Sequence, residues 1–159
     1  MPAVINDTVK KLFAHQDTIK SLATVDREGE PNVEFIYDDS IQLNEKGQIV
    51  YLEKIETSQT NKNLVYSIWF KHYVTINVIA NDRTNYRIKG IPVKAIISGN
   101  EFERYYLKAI AEDPNVDLST VWLIEPEEFS EDTFEIRRAR EYEAHPLLLH
   151  LDRFSKYDD

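Results

Sequence analysis

The sequence contains no cysteine. Disulfides, cysteine nucleophiles, iron–sulfur clusters and zinc–thiolate centres are thereby excluded. An excess of positive charge is also missing: 19 Lys and Arg stand against 28 Asp and Glu, for a net charge of −9. That balance disfavours broad electrostatic binding to nucleic acid or to an anionic membrane, although a local cluster of donors can still hold a small anion. No apolar run approaches the roughly 20 residues that span a bilayer. The N-terminal stretch MPAVINDTVKKLFAHQ lacks the apolar centre of a signal peptide. The resulting expectation is a soluble, cytoplasmic protein. Hydrophobic residues make up 42% of the 159 positions, enough for one ordinary domain with a real core.

Periodicity gives the elements. Asn6 or Asp7 can cap a first helix whose apolar positions are Val9, Leu12 and Phe13. Ile19–Asp26 and Pro31–Tyr37 are β-type runs joined by a short glycine-containing link, which reads as a hairpin. Ser40–Leu43 and Gln48–Ile55 flank NEKG and form a second hairpin, with Gly47 supplying a positive φ. Asn61–Phe70 reads as a helix with a wide apolar face, because Leu64 and Ile68, and also Val65 and Trp69, stand four apart. Tyr73–Asn81 and Thr84–Gly99 read as strands, the second interrupted at Gly90 and Pro92 by a bulge or an edge position. Asn100 can cap a helix carrying Phe102, Tyr105, Tyr106, Ala109 and Ile110. Thr120–Phe129 and Thr133–Tyr142 read as closing strands, and the tail from about residue 143 as irregular.

The sum is about seven or eight strands and about three helices. Strands in consecutive hairpins disfavour a doubly wound parallel sheet and favour an antiparallel barrel. No repeat or linker divides the chain, so residues 1–159 read as one mainly β domain.

Candidate chemistry is sparse. The stretch IETSQTNKNL, Ile55–Leu64, lies between a strand and a helix. It can be a helix cap, the commoner use of Ser and Thr there, or an anion site. In the second reading the free N–H groups of the first helical turn, the hydroxyls of Thr57, Ser58 and Thr60, and the charge of Lys62 would all serve. The loop lacks the glycines of a strong phosphate motif. His145 and His150 stand five apart around Pro146, a poor spacing for presenting both to a metal from one helix. The basic run Arg137–Arg140 lies among acids, as on a solvated strand face with cross-strand pairs. Tyr66, Trp69, Phe70, Tyr73, Tyr105, Tyr106 and Trp122 fall mostly at positions that periodicity assigns to the core. No residue stands out as a catalytic acid, base or nucleophile, and no metal site is expected.

The order of four segments resembles the FMN-binding split-barrel family, the group related to pyridoxamine 5'-phosphate oxidase. LATVDREGEPNVEF (Leu22–Phe35) is similar to the family's opening hairpin. TSQTNKNL (Thr57–Leu64) is similar to its phosphate loop, often K-T-x-K-N-L. YRIKGIPVKAI (Tyr86–Ile96) and WLIEPEEF (Trp122–Phe129) are similar to a central and a closing strand. The resemblance implies an antiparallel split β-barrel and a homodimer with FMN at the subunit interface, used for oxidoreductase chemistry. It assigns Thr57, Ser58, Gln59, Thr60, Lys62 and Asn63 to the phosphate. Asn32, Glu34 and Phe35 would border the isoalloxazine ring, and Ile55 and Glu56 would pass close to the flavin. The lysine that often precedes the loop threonine is Gln59 here, which brings no charge, and Glu34 and Glu56 add carboxylates. A non-enzymatic protein of the same fold, holding a flavin, haem or another small molecule, is the rival expectation. A dimeric structural or regulatory domain is a third.

Overall fold

A computed structural model describes residues 3–146. Helix α1 (Asp7–Ala14) is followed by β1 (Ile19–Val25), β2 (Pro31–Ile36), β3 (Ile41–Leu43) and β4 (Ile49–Glu53). Then come α2 (Gln59–Phe70), β5 (Val74–Ile79), β6 (Asn85–Ile96), α3 (Gly99–Glu112), β7 (Thr120–Glu131) and α4 (Phe134–Ala144). The strands form one antiparallel sheet in the order β2-β1-β5-β6-β7-β4-β3. Strands from one edge to the other share a core that includes Leu22, Ile36, Ile41, Ile49, Ile76, Ile88 and Trp122. Residues from opposite ends of a seven-stranded sheet can meet in one core only if the sheet curls. Edges β2 and β3 stay unpaired with each other, so the barrel is split.

A second cluster sits on the outer side of the curl. Val50, Leu52, Ile96, Leu118, Val121 and Leu123 are covered there by Phe102, Tyr105 and Tyr106 of α3. This explains why β4, IVYLE, is buried along its whole length. Its alternate side chains face two cores, which is why it reads as a continuous apolar run.

Both hairpins fold as their patterns predict, and Gly47 has φ +78°. Asn6 caps α1, its side chain accepting from the Val9 N–H at 3.0 Å. The expected irregularity in β6 is present: the pairing of β6 with β7 shifts register between Lys89 and Gly90 and again between Pro92 and Lys94.

Four expectations are corrected. Thr133–Tyr142 does not form a strand: Phe134–Ala144 is helical, and Arg137–Arg140 lie on an exposed helix with no buried residue. The helices described therefore number four. Asn100 does not cap α3, which already begins at Gly99 after Ser98. The wide apolar face of α2 is only half used, since Leu64 and Ile68 pack on the core whereas Val65 and Trp69 face outward. Among the aromatic residues assigned to the core, Trp122 is buried, but Trp69, Phe70 and Tyr73 are exposed. His145 caps the end of α4, and His150 lies outside the described residues.

Candidate functional site

The stretch between β4 and α2 makes a tight turn in which the Ser58 N–H donates to the Ile55 carbonyl at 3.0 Å. Ser58 is the N-cap of α2: its hydroxyl oxygen accepts from the Asn61 N–H at 2.9 Å. The Lys62 N–H reaches the Ser58 carbonyl, while the N–H groups of Gln59 and Thr60 open the helix and have no acceptor within it.

One cross-strand pair of the first hairpin docks onto this helix start. Thr24 and Asn32 face each other across β1 and β2. Asn32 donates from Nδ2 to Thr60 Oγ1 at 3.1 Å, and Asn63 donates from Nδ2 to Thr24 Oγ1 at 3.0 Å. Gln59 Nε2 donates to Asn63 Oδ1 at 2.8 Å. Thr60 and Asn63 are almost fully buried, so these bonds fix the loop against the hairpin.

Behind the cap lies a buried carboxylate. Glu53, the last residue of β4, is 1% exposed. Its Oε2 accepts from the Ser58 hydroxyl at 2.8 Å, and its Oε1 accepts from the Ile55 N–H at 3.0 Å. The Tyr51 hydroxyl lies 3.1 Å from Glu53 Oε2 and 3.0 Å from Glu34 Oε2. Burial, and then the charges of Glu53 and Glu34, push the Tyr51 phenol far above its usual range, so it stays protonated. One hydroxyl hydrogen can serve only one carboxylate at a time, so the three groups share a proton-poor link from β4 to β2. On the far side of the turn, Asn61 accepts from Trp122 Nε1 at 2.9 Å and donates to the Glu56 carbonyl at 2.9 Å.

The structure thus brings together Asn32, Glu34, Ser58, Gln59, Thr60 and Asn63. Phe35 is exposed and, by strand alternation, points to the opposite face of β2 from Asn32 and Glu34. The side chains of Ile55, Glu56, Thr57 and Lys62 are exposed and stand outside the hydrogen-bonded network. Sequence reasoning missed Thr24, Tyr51, Glu53, Asn61 and Trp122. For Glu53 a signal existed: it is a lone acid closing the apolar run IVYL.

Whether the residues fit a phosphate follows from which donors are still free. The Ser58 hydroxyl hydrogen is committed to Glu53, and one of the two Gln59 amide hydrogens to Asn63, which leaves the other free. The N–H groups of Gln59 and Thr60, the Thr57 hydroxyl and the Lys62 ammonium remain. These are donors of the kind a phosphate takes, at a helix N-terminus whose dipole favours negative charge. No group of three or more His, Asp or Glu able to hold a metal occurs among the described residues. No described helix is long and apolar enough to cross a membrane.

No family model and no curated protein matches the sequence. Solved structures do match. HupZ from Group A Streptococcus is similar with TM-score 0.65 at 22% identity, over 82% of this chain and 96% of that one. An FMN-binding protein from Syntrophomonas wolfei is similar with TM-score 0.62 at 16% identity, over 79% of this chain and 84% of that one. HutZ, the haem storage protein from Vibrio cholerae, is similar with TM-score 0.58 at 16% identity, over 81% and 95%. The curled antiparallel sheet, its strand order and these likenesses together give the chain the FMN-binding split-barrel fold.

Proposed function

We propose that this protein is an FMN-binding flavoprotein, working as a cytoplasmic homodimer and using the flavin for oxidoreductase chemistry. The observation that carries the reading is the docking of the Thr24–Asn32 pair onto Thr60 and Asn63. It sets the start of α2, with its free N–H groups, beside the strand that carries Asn32 and Glu34. The FMN phosphate would meet the N–H groups of Gln59 and Thr60, the Thr57 hydroxyl and Lys62. The isoalloxazine ring would lie along β2 near Asn32 and Glu34, with Ile55 and Glu56 at its margin and Phe35 on the opposite face of the strand. Bound FMN supplies the hydride or electron transfer, and the protein supplies position and electrostatics. No side chain is assigned as acid or base.

The test is the absorption spectrum of natively purified protein, followed by FMN titration monitored by flavin fluorescence. Saturable binding at one FMN per chain is the expected result. Absence of both a flavin spectrum and a titration would end this reading.

One observation favours a second reading. The Glu53 carboxylate sits directly behind the loop and opposes a phosphate. A protein of this fold whose ligand, haem among the candidates, brings no phosphate to this loop meets no such opposition there. Titration with haemin, read at the Soret band, separates the two. Rapid reduction of bound FMN by a nicotinamide cofactor counts against the second.

A further inference from the structure

A lysine is buried where the fold has no obvious need for one. Lys20, on β1, is 2% exposed. Its ammonium donates to the Phe13 carbonyl near the end of α1, at a long 3.4 Å, and makes no ion pair among the described residues. A lysine nitrogen has three positions to satisfy when charged, so one long bond leaves it poorly solvated. Burial lowers the affinity of this amine for its proton, with Asp38 and Asp39 opposing.

Lys20 lines a cavity of about 700 Å³, a volume suited to a small molecule. Phe13, His15, Tyr37, Asp38 and Asp39 are among the other walls. The cavity is separate from the α2 loop. Lys20 pairs with Ile36, whereas Thr24 pairs with Asn32, so the two sites lie at opposite ends of one hairpin. Four residues along a strand is about 13 Å. Nδ1 of His15 accepts from the Asp17 N–H at 3.1 Å, which places the proton of the neutral imidazole on Nε2.

We propose that this cavity is a second small-molecule site in which the Lys20 amine condenses with the carbonyl carbon of a small uncharged aldehyde. The nitrogen lone pair attacks the carbonyl carbon and forms a carbinolamine. The oxygen then leaves as water, carrying both hydrogens of the amine, and a carbon–nitrogen double bond remains. His15, on the wall of the same cavity, is the group assigned to donate a proton to the departing oxygen and recover it from nitrogen. Lys10 and Lys108 stand with Asp38, Asp39 and Glu112 on the same walls, and Asp38 and Asp39 are paired with Lys54 and Lys108, so the lining carries little net charge and suits an uncharged ligand. Such chemistry needs the neutral amine, and burial shifts Lys20 in that direction.

The experiment uses the full-length protein, propanal as the probe and cyanoborohydride to trap the imine, with alkylation read peptide by peptide by mass spectrometry. Lys46, on an exposed turn, is the internal reference. The expected result is alkylation of Lys20 several-fold faster than of Lys46, and loss of that label in Lys20→Arg while Lys46 labels as before. Alkylation of Lys20 no faster than of Lys46 overturns the proposal. The Lys20-to-Lys46 comparison is made within the unmodified sequence, so it stands even if the variant folds poorly.

Discussion

On the proposed function, two side chains should tune phosphate binding at the α2 loop, and each can be tested alone. Gln59 is exposed and spends one amide hydrogen on Asn63 Oδ1. Gln59→Lys brings a charge to the helix N-terminus, where a phosphate would sit. FMN binding is expected to tighten by about 1 kcal/mol, the margin of a charge-assisted hydrogen bond over a neutral one. Unchanged or weaker affinity would mean that position 59 does not face the phosphate. Glu53 acts from behind. Glu53→Gln keeps the shape, and the amide oxygen can still accept from the Ile55 N–H. The new NH2 donates toward the Ser58 oxygen, so the serine hydroxyl is released to donate outward, and one buried negative charge disappears. Fluorescence titration should again show FMN binding tighter by about 1 kcal/mol. If Glu53→Gln leaves FMN affinity unchanged while Gln59→Lys raises it, the Ser58 hydroxyl points away from the ligand.

At the scale of elements, the strands were legible because alternation survives wherever one face is buried. β5, VTINVI, alternates buried and half-buried residues along its length. The helix α4 was not legible, and the reason lies in its packing. It buries no residue, so no apolar stripe reports a 3.6-residue period, and Phe134 and Ile136 imitate strand alternation. Its start is fixed from outside the helix. The Thr133 hydroxyl accepts from the Asn85 N–H at 3.0 Å and lies 3.2 Å from Glu131. That commitment explains why Thr133 caps the helix without a side-chain bond to it. The candidate site was half legible for a similar reason. Ser58, Thr60 and Asn63 carry visible polarity in a loop, and Glu53 is a lone acid that bonds within its own turn, whereas Tyr51 acquires its link to Glu34 only when β4 meets β2 across the curl. The bulge in β6 makes a sharper prediction. A Cβ on Gly90 would lie 2.8 Å from the Glu125 carbonyl oxygen and 2.8 Å from Ile124 Cγ2. The first contact is backbone and cannot swing aside. Gly90→Ala should therefore lower stability by about 1–3 kcal/mol through overpacking. A urea midpoint within error of the parent protein would show that β6 and β7 separate there at little cost.

At the scale of the whole molecule, the question is how two copies of an acidic chain could associate. Each carries a net charge of −9, so long-range electrostatics oppose contact and apolar burial must supply the attraction. The outer face of α2 offers that surface. Val65 and Trp69 stand one turn apart on it, with Phe70 next to them in sequence, and Trp69 is 79% exposed. An exposed tryptophan of this kind is the side chain most often found at the energetic centre of an interface. Trp69→Glu is expected to weaken the homodimer by at least about 2 kcal/mol, roughly thirty-fold in dissociation constant. Sedimentation velocity across a concentration series reads this directly, and thermal melting serves as the control. Because Trp69 packs little within its own chain, the variant should melt with the parent when both are compared as monomers. Salt separates attraction from repulsion: raising it screens the like charges, so the dimer of the parent protein should tighten as salt rises. If the parent sediments as a monomer at all concentrations, the homodimer proposal fails. If it is a dimer that Trp69→Glu leaves intact, the two copies meet through another face.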